Sequence, residues 1–277
     1  MSEVTNILER AEHQDRPDAR YYIEVVFDEF IELYGDRVYG DDPSLVGGIA
    51  RLAGRPVTVL AQLRGHTLEQ RIRCNFSMTM PEGYRKAVRL MRQAEKFHRP
   101  VVCLVDTLGA YPGREAEQRG QSSAIAACLA AMLGLRTSIV SILIGNGGSG
   151  GALALCLADR VAIQQNALLS VISPKACANI LWKDSSRYQQ AARMLRMSAD
   201  DLLQMRLVDA VLPEPGEGAH TDPAVAAQIV RCYLLKSLAS LARASVRRLI
   251  RQRNERYRAV EKRISLEAAG ETGTKAQ

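Results

Sequence analysis

The sequence predicts an α/β protein with a buried sheet. Short runs rich in β-branched residues alternate with segments of helical period from residue 55 to residue 173, which is typical of a sheet covered by helices. The strand-like runs, such as VVCLV and SIVSILI, are almost continuously apolar, as expected for strands buried on both faces. With 277 residues, 47% of them hydrophobic, the chain is long enough for one large core or a core with an appendage.

The first predicted element is a helical lead-in over residues 1–40. In YYIEVVFDEFIELYGDR, residues 21–37, apolar side chains recur at spacings of three and four. This spacing predicts an amphipathic helix, and Gly35 is placed to end it.

The core is predicted over residues 41–215, and its elements alternate between strand and helix. The predicted strands are, in chain order, 55–63, 99–106, 136–144 and 160–173. The predicted helices between them are 84–97, 122–133 and one that begins at Gly150. Proline and glycine cluster in DTLGAYPGREAEQRG and LPEPGEGAHTDP, which therefore read as loops.

The last region, 216–277, is predicted to be a basic helical tail from residue 224 to about residue 267. Residues 243–263 hold nine lysines and arginines against two glutamates and so account for the whole net charge of +7. The apolar residues that approximate one helical face are Val246, Leu249, Ile250, Tyr257, Val260 and Ile264. Two interpretations of this tail remain open: its basic face packs on its own domain, or it is a surface for a partner. Nucleic acid is a minor option, because aromatic interleaving is limited to Tyr257.

Composition also favours a cytoplasmic protein outside the membrane. No apolar run approaches the ~20 residues that span a bilayer, and the polar start MSEVTNILERAEHQDRPDAR has no apolar signal region. The six cysteines are scattered without a C-x-x-C pair, so we expect reduced thiols and no structural zinc.

A glycine-rich turn carries the chemical signal of the sequence. IGNGGSGGALALCLADR places five glycines among residues 145–151, after an apolar strand and before a helical pattern. Without Cβ atoms, backbone N–H groups are accessible to a ligand, and the following helix adds its positive N-terminal dipole. Such a turn suits an oxygen that becomes negative during a reaction, as in an oxyanion hole.

Other interpretations of this turn remain. A dinucleotide fingerprint fits the spacing of Gly145, Gly147 and Gly150, but no acidic residue follows about 20 residues later at a strand end. G-x-S-x-G centred on Ser149 fits a nucleophile elbow, and the only downstream histidine is His220. Glycines that only permit tight packing are the third alternative.

Six motifs carry a resemblance to a known family. In chain order they are LYGDRVYGDDPSLVGGIARLAGRPV, RIRCNFSMTMPEGYRKAVRLMRQAEKF, DTLGAYPG, EQRGQSSAIA, IGNGGSGGALA and SVISPKACANILWK. From about residue 21 to about residue 240 the chain resembles the α subunits of bacterial acetyl-coenzyme A carboxylase carboxyltransferase. The resemblance implies a crotonase-like fold, in which repeated ββα units form a superhelix.

The resemblance also implies a reaction and partners. Such a subunit takes the carboxyl group from carboxybiotin on a biotin carboxyl carrier protein, and a zinc-ribbon β subunit binds the acyl-CoA. Malonyl-CoA for fatty acid biosynthesis then forms at the shared interface of an α2β2 assembly. The sequence has no four-cysteine zinc ribbon, M-K-M biotinylation site or ATP-binding loop, so we expect no metal in this chain and no activity without the β subunit.

By the same resemblance, particular residues receive roles. The backbone N–H groups of Gly150 and Gly151 would form the oxyanion hole, so that no side-chain nucleophile is needed. The residues expected at the carboxybiotin side of the cleft are Gly147, Gly148, Tyr111, Pro112, Gly113, Ser173 and Pro174. An ordinary packing role is the alternative for Tyr111, Pro112, Gly113, Ser173 and Pro174.

The chain departs from the family pattern at three positions. Leu108 replaces a proline, and Asn146 and Lys175 stand where glutamates are expected. Because of these changes, the identity of the acyl-CoA substrate and of the β partner stays open. Propionyl-CoA, another acyl-CoA, or a paralogue with only a scaffolding role are the alternatives to acetyl-CoA carboxylation, and a serine hydrolase that uses Ser149 is a remote one.

Overall fold

The computed structural model describes residues 3–273, and it describes side chains from residue 6 to residue 260. Its centre is one eight-stranded sheet. The strands are β1 (Glu29–Glu32), β2 (Leu45–Leu52), β3 (Arg55–Gln62), β4 (Val101–Thr107), β5 (Ile139–Gly148), β6 (Arg160–Gln164), β7 (Leu168–Ser170) and β8 (Ala210–Leu212). They lie in the order β1-β2-β3-β4-β5-β6-β8, with β7 paired to β5. The pairs β1–β2 and β2–β3 are antiparallel, and all later pairs are parallel.

Helices cover both faces of this sheet. They are α1 (Glu3–Ala11), α2 (Ala19–Val26), α3 (Leu68–Arg73), α4 (Pro81–Lys96), α5 (Arg114–Gln118), α6 (Gln121–Gly134), α7 (Ser149–Leu153), α8 (Pro174–Trp182), α9 (Tyr188–Leu195), α10 (Ala199–Gln204), α11 (Pro223–Leu241) and α12 (Val246–Gly273). Short 3-10 turns span Asn75–Ser77 and Ser185–Arg187.

The continuous apolar character of the central strands has a direct structural reason. Along β4, Cys103 and Val105 pack into the core layer that contains α4 and α6. Val102 and Leu104, which point to the opposite face, pack into the layer that contains α2 and α11. Both faces of the strand are therefore buried, as its sequence predicted.

Most predicted core elements are confirmed, with small shifts at their ends. The confirmed segments are 55–63 (β3), 99–106 (β4), 136–144 (β5), 84–97 (α4) and 122–133 (α6). The helix predicted from Gly150 is only the five-residue α7. The run 160–173 is two strands, because a turn at Ala167, whose N–H donates to Gln164 O, separates β6 from β7.

The single helix predicted over residues 21–37 is wrong beyond Val26. The chain becomes extended at Phe27, and β1 pairs with β2 in the sheet. Gly48 of β2 has no Cβ, and one built there would lie 2.8 Å from the Phe30 ring. Pairing with β2 at Gly48 therefore determines the conformation of residues 29–32, although their local spacing fits a helix. This is an effect of tertiary structure on local propensity. Over its described residues, 3–40, the lead-in region is thus two helices and a strand.

The tail is also different from its prediction, since it consists of α11 and α12 with a break at residues 242–245. Ser245 starts the second helix, because its Oγ accepts the N–H of Arg248. Of the predicted apolar face, Leu249 is buried, whereas the side chain of Ile264 lies outside the described residues. The division of the chain into 1–40, 41–215 and 216–277 stays a prediction.

A buried arginine attaches the basic tail to its own domain. Arg253 is 1% exposed and pairs with Asp159, with Nη2 2.7 Å from Oδ2. Its guanidinium also donates to the carbonyl oxygens of Met132, Leu135 and Thr137. At least this part of the basic segment packs on its own core.

One helix in the described residues, α11, is long and apolar enough to cross a bilayer. Its residues Ala227, Val230 and Leu234 are fully or almost fully buried in the layer that contains α2. Packing on the core accounts for its apolar side, as in the core helices of other globular proteins.

Candidate functional site

The glycine-rich turn connects the carboxyl end of β5 with α7 at the edge of the parallel sheet. Gly147 and Gly148 are the last strand residues, and Ser149 opens the helix with a φ of +50°. The first N–H groups of a helix have no acceptor within it. Over residues 3–273, the structure also shows no other acceptor for the N–H groups of Gly150 and Gly151.

Two glycines of the turn lie directly against the loop that follows β4. A Cβ on Gly148 would overlap the carbonyl group of Leu108. A Cβ on Gly151 would lie 2.6 Å from Gly109 C and 2.7 Å from Ala110 N. Because these neighbours are backbone atoms, the close approach requires glycine at both positions. Gly150 is different, since its built Cβ meets only Ile125 Cγ2, at 4.0 Å.

Buried amide side chains hold these two loops in place. Gln62 Nε2 donates to Gly151 O at 3.1 Å and to Thr79 Oγ1 at 3.3 Å. Gln121 Nε2 donates to Thr79 O and Tyr111 O at 2.8 and 3.0 Å. Sequence reasoning missed both glutamines, although a polar residue at the end of an apolar strand such as β3 is a usable signal.

A pocket of about 110 Å3 opens beside the turn. Four of the predicted carboxybiotin residues, Gly147, Gly148, Ser173 and Pro174, line it together. Ser173 caps α8, since its Oγ accepts the N–H of Ala176 at 3.3 Å. Ser149, the candidate nucleophile of the hydrolase alternative, also lines it. The lining residues that the sequence did not indicate are Leu8, Glu12, Thr107, Leu168, Ser170, Val171, Ile172 and Met197.

The remaining predicted residues do not line this pocket. Gly150 and Gly151 lie further along, in the first turn of α7. Tyr111 follows the segment against which Gly151 packs, and its ring covers Gly113 so closely that a Cβ there would overlap it. Pro112 is exposed. The turn therefore has two sides, one toward the pocket and one toward the loop that contains Tyr111.

Two of the three departures from the family pattern lie at the pocket. Leu108, 53% exposed, and Asn146 are both lining residues. Lys175 lies on α8, and its Nζ is 5.9 Å from the centre of the Tyr188 ring. Differences at the first two positions therefore alter the wall of the pocket directly.

The structure does not bring the serine hydrolase residues together. Ser149 lines the pocket beside the turn, whereas His220 lines another one with His13 and Glu217. The His220 ring stacks on His13 with centroids 3.8 Å apart. Burial, and secondly the neighbouring His13, lower the pKa of His220. Because His220 lies in a different pocket, it is not placed to act as the base that activates the Ser149 hydroxyl.

Burial also affects one titratable side chain beneath the turn, that of Tyr84. Tyr84 lies under Gly151, with its Oη 2.9 Å from the position of a Cβ there, and burial raises the pKa of this phenol far above its ordinary value. Tyr84 therefore stays neutral and does not act as a base at neutral pH. Among the described residues, no group of three or more His, Cys, Asp or Glu side chains is placed to hold a metal ion.

The geometry suits one kind of chemistry. Free N–H donors, a backbone surface without Cβ atoms and a fixed surrounding frame can stabilise an oxygen on which negative charge develops. A group that carries such an oxygen suits this turn, because no acceptor within residues 3–273 uses the N–H groups of Gly150 and Gly151.

Comparison with known proteins gives a consistent assignment. A family model described as acetyl co-enzyme A carboxylase carboxyltransferase-like matches residues 3–261. The acetyl-coenzyme A carboxylase carboxyl transferase subunit alpha of Halalkalibacterium halodurans is 50% identical over 250 residues, which are 90% of this chain and 77% of the relative. That of Clostridium acetobutylicum is 47% identical over 253 residues, 91% of this chain and 92% of the relative.

Solved structures agree on the fold. Transcarboxylase 12S superposes with a TM-score of 0.69 at 20% identity over 87% of this chain and 44% of the other. A Pseudomonas malonate decarboxylase hetero-tetramer in complex with coenzyme A gives 0.68 at 19% identity, over 90% of this chain and 98% of the other. The predicted crotonase-like α/β fold is confirmed. The chain belongs to the family of bacterial acetyl-coenzyme A carboxylase carboxyltransferase α subunits.

Proposed function

We propose that this chain, together with a zinc-ribbon β subunit, transfers the carboxyl group of carboxybiotin to acetyl-CoA. The product is malonyl-CoA, used for fatty acid biosynthesis in the cytoplasm. The carboxybiotin is carried by a separate biotin carboxyl carrier protein, and the working assembly is α2β2. The relatives named above are subunits of acetyl-coenzyme A carboxylase, which supports this substrate.

The observation that carries the proposal is the pair of unused N–H donors at Gly150 and Gly151. Carboxybiotin, when bound, supplies the carboxyl group and an oxygen that becomes negative as that group leaves. The two N–H groups donate to such an oxygen, and loss of one donor of this kind typically costs ~10²- to 10³-fold in rate. No nucleophilic side chain is required.

Other residues of the chain shape the site. Gly147 and Gly148 of the turn line the pocket together with Ser173 and Pro174. We assign Tyr111, Pro112 and Gly113 to the wall on its other side, where Gln121 fixes the Tyr111 carbonyl. The buried packing of Gly151 against Gly109 and Ala110 excludes water from beneath the donors, which strengthens their interaction with a charge.

The test is reconstitution with purified components. Malonyl-CoA formation is measured from acetyl-CoA and carboxylated carrier protein, with this chain alone, the β subunit alone and both together. We expect product only from the complex, and a smaller rate when propionyl-CoA replaces acetyl-CoA. Turnover by this chain alone, or a well-formed complex that is silent with every acyl-CoA, would contradict the proposal, and the second result would indicate a scaffolding paralogue.

A further inference from the structure

The end of β5 departs from regular sheet geometry immediately before the glycine-rich turn. Pairing with β4 is regular up to Val105 opposite Leu143, and it resumes only at Thr107 opposite Gly147. One residue of β4, Asp106, therefore faces three residues of β5, which are 144–146. Such bulges are frequent beside active sites, where they redirect the strand.

Two buried side chains take over hydrogen bonds within this bulge. Asp106, 1% exposed, accepts the N–H of Asn146 on Oδ1 at 2.8 Å. Arg16, fully buried, donates from Nε to Ile144 O at 2.8 Å. The residues on either side of Gly145 are thus fixed by side chains from outside β5.

Gly145 itself allows the carboxylate to come this close. A Cβ at this position would lie 2.5 Å from Asp106 Cγ and 2.8 Å from Oδ2. Any larger residue would displace the carboxylate from the Asn146 N–H. The first glycine of the turn therefore serves the contact with Asp106, and it does not line the pocket.

Both bulge contacts are tied to the segment between α1 and α2. Arg16 lies on this segment and binds Glu214 with Nη1–Oε2 and Nη2–Oε1 distances of 2.9 and 2.6 Å. Arg64 has its Nε 3.7 Å from Asp106 Oδ2, and it donates to the carbonyl oxygens of Ala11, His13 and Arg16. The segment thereby reaches the base of the glycine-rich turn in two ways, by the hydrogen bond from Arg16 to Ile144 O and through the buried pair of Arg64 with Asp106.

We propose that Asp106 and Arg16 are positioning residues that set the direction of residues 147–151, and that the segment between α1 and α2 acts as a brace for the site. This inference rests on the proposed function, because its effect is read in carboxyl transfer. Neither residue touches the donors or the pocket. Both fix the backbone from which Gly150 and Gly151 extend.

The principal test compares Asp106→Ala and Asp106→Asn in the α–β complex. Alanine removes the acceptor for the Asn146 N–H, whereas asparagine keeps an oxygen in the same place. Since a misplacement of about 1 Å costs ~10²-fold in rate, we expect Asp106→Ala to lower kcat by about 10- to 100-fold with the KM for acyl-CoA unchanged. Asparagine should restore kcat to within about fivefold of the wild type.

Gly145→Ala tests the same contact without removing a buried charge, and so serves even if Asp106→Ala does not fold. It should also lower kcat by about 10-fold or more. In the double variant Gly145→Ala, Asp106→Ala, the short side chain at 106 leaves room for the new Cβ. We therefore expect its kcat to be no lower than that of Asp106→Ala alone, a non-additivity that marks two changes acting on one contact.

The matched control is Asp159→Ala. Asp159 is likewise a buried carboxylate that accepts an N–H of β5, that of Ile139 at 2.8 Å, and it pairs with the buried Arg253. It does so at the opposite end of the strand, so its loss should lower the unfolding midpoint but leave kcat within about threefold.

The outcomes separate the two claims. No product from the wild-type complex overturns the proposed function and, with it, this inference. An active wild type whose kcat survives both Asp106→Ala and Gly145→Ala overturns the inference alone, as does an equal loss of kcat in Asp159→Ala.

Discussion

Gly150 and Gly151 are neighbours in one turn, but the structure predicts opposite responses to the same added methyl group. In Gly151→Ala the new Cβ would lie 2.6 Å from Gly109 C and 2.7 Å from Ala110 N. In Gly150→Ala the nearest atom is Ile125 Cγ2 at 4.0 Å, an ordinary contact. The two variants add the same atoms and keep both N–H donors.

The size of the effect follows from the displacement. To reach the 3.4 Å at which ordinary van der Waals contact begins, Gly151 and the Gly109–Ala110 backbone must separate by about 0.8 Å. A shift of this size in a catalytic donor corresponds to ~10²-fold in rate, or about 2.7 kcal/mol of transition-state stabilisation. The overpacking itself should destabilise the fold by about 1–3 kcal/mol.

The assay is steady-state malonyl-CoA formation by the α–β complex with saturating carboxylated carrier protein. We expect kcat to fall about 100-fold for Gly151→Ala and to stay within about threefold of the wild type for Gly150→Ala. Urea unfolding of each variant, and its elution with the β subunit, show whether the complex remains folded.

The reasoning fails if Gly151→Ala keeps the wild-type kcat in a folded complex. It also fails if Gly150→Ala loses as much activity as Gly151→Ala, since the packing difference would then be irrelevant to catalysis. A loss confined to the KM for acyl-CoA would place the effect on substrate binding and likewise contradict an oxyanion role.

Three further predictions concern other parts of the molecule. Ser149→Ala should keep kcat within about tenfold, and fluorophosphonate probes should not label Ser149, because His220 lies in a different pocket and does not activate its hydroxyl. Labelling would favour a hydrolase. His220→Phe keeps an aromatic ring stacked on His13. Because the pKa of folded His220 is lowered, only the unfolded protein takes up a proton at this residue just below its ordinary pKa of 6.5, so the unfolding midpoint should fall less between about pH 7.5 and pH 5.5 in the variant than in the wild type. Equal falls would show that His220 is not responsible. Arg253→Met should lower the free energy of unfolding by about 3–5 kcal/mol, because it leaves Asp159 buried without its partner. A loss below about 1 kcal/mol in a urea titration would show that this ion pair contributes little to stability.

The local sequence pattern was sufficient for the central strands and the glycine-rich turn. β4 and β5 are nearly continuous apolar runs. Such a run predicts burial on both faces of a strand, whatever the order of the strands in the sheet. The five glycines between a strand and a helix indicated a backbone site for negative charge, and the motifs around them identified the family. These signals are local, because each strand, turn or motif is one continuous stretch of the chain.

The helix predicted over 21–37 failed for the opposite reason. Its spacing of three and four fits a helix locally, but residues 29–32 gain a partner strand in which Gly48 leaves space for Phe30. Likewise, the sequence alone cannot show that Gln62 holds the carbonyl of Gly151, since 89 positions separate them.

The sequence by itself determined the α/β class, the family and the position of the glycine-rich turn, because period, composition and ordered motifs can be read without knowledge of distant contacts. Tertiary structure decided which glycine tolerates a side chain and how the turn is directed. Arg16 reaches the carbonyl of Ile144 across 128 positions, and Asp106 reaches the N–H of Asn146 across 40. Contacts of this range depend on where the folded sheet and its loops bring the chain together, and no local pattern encodes that.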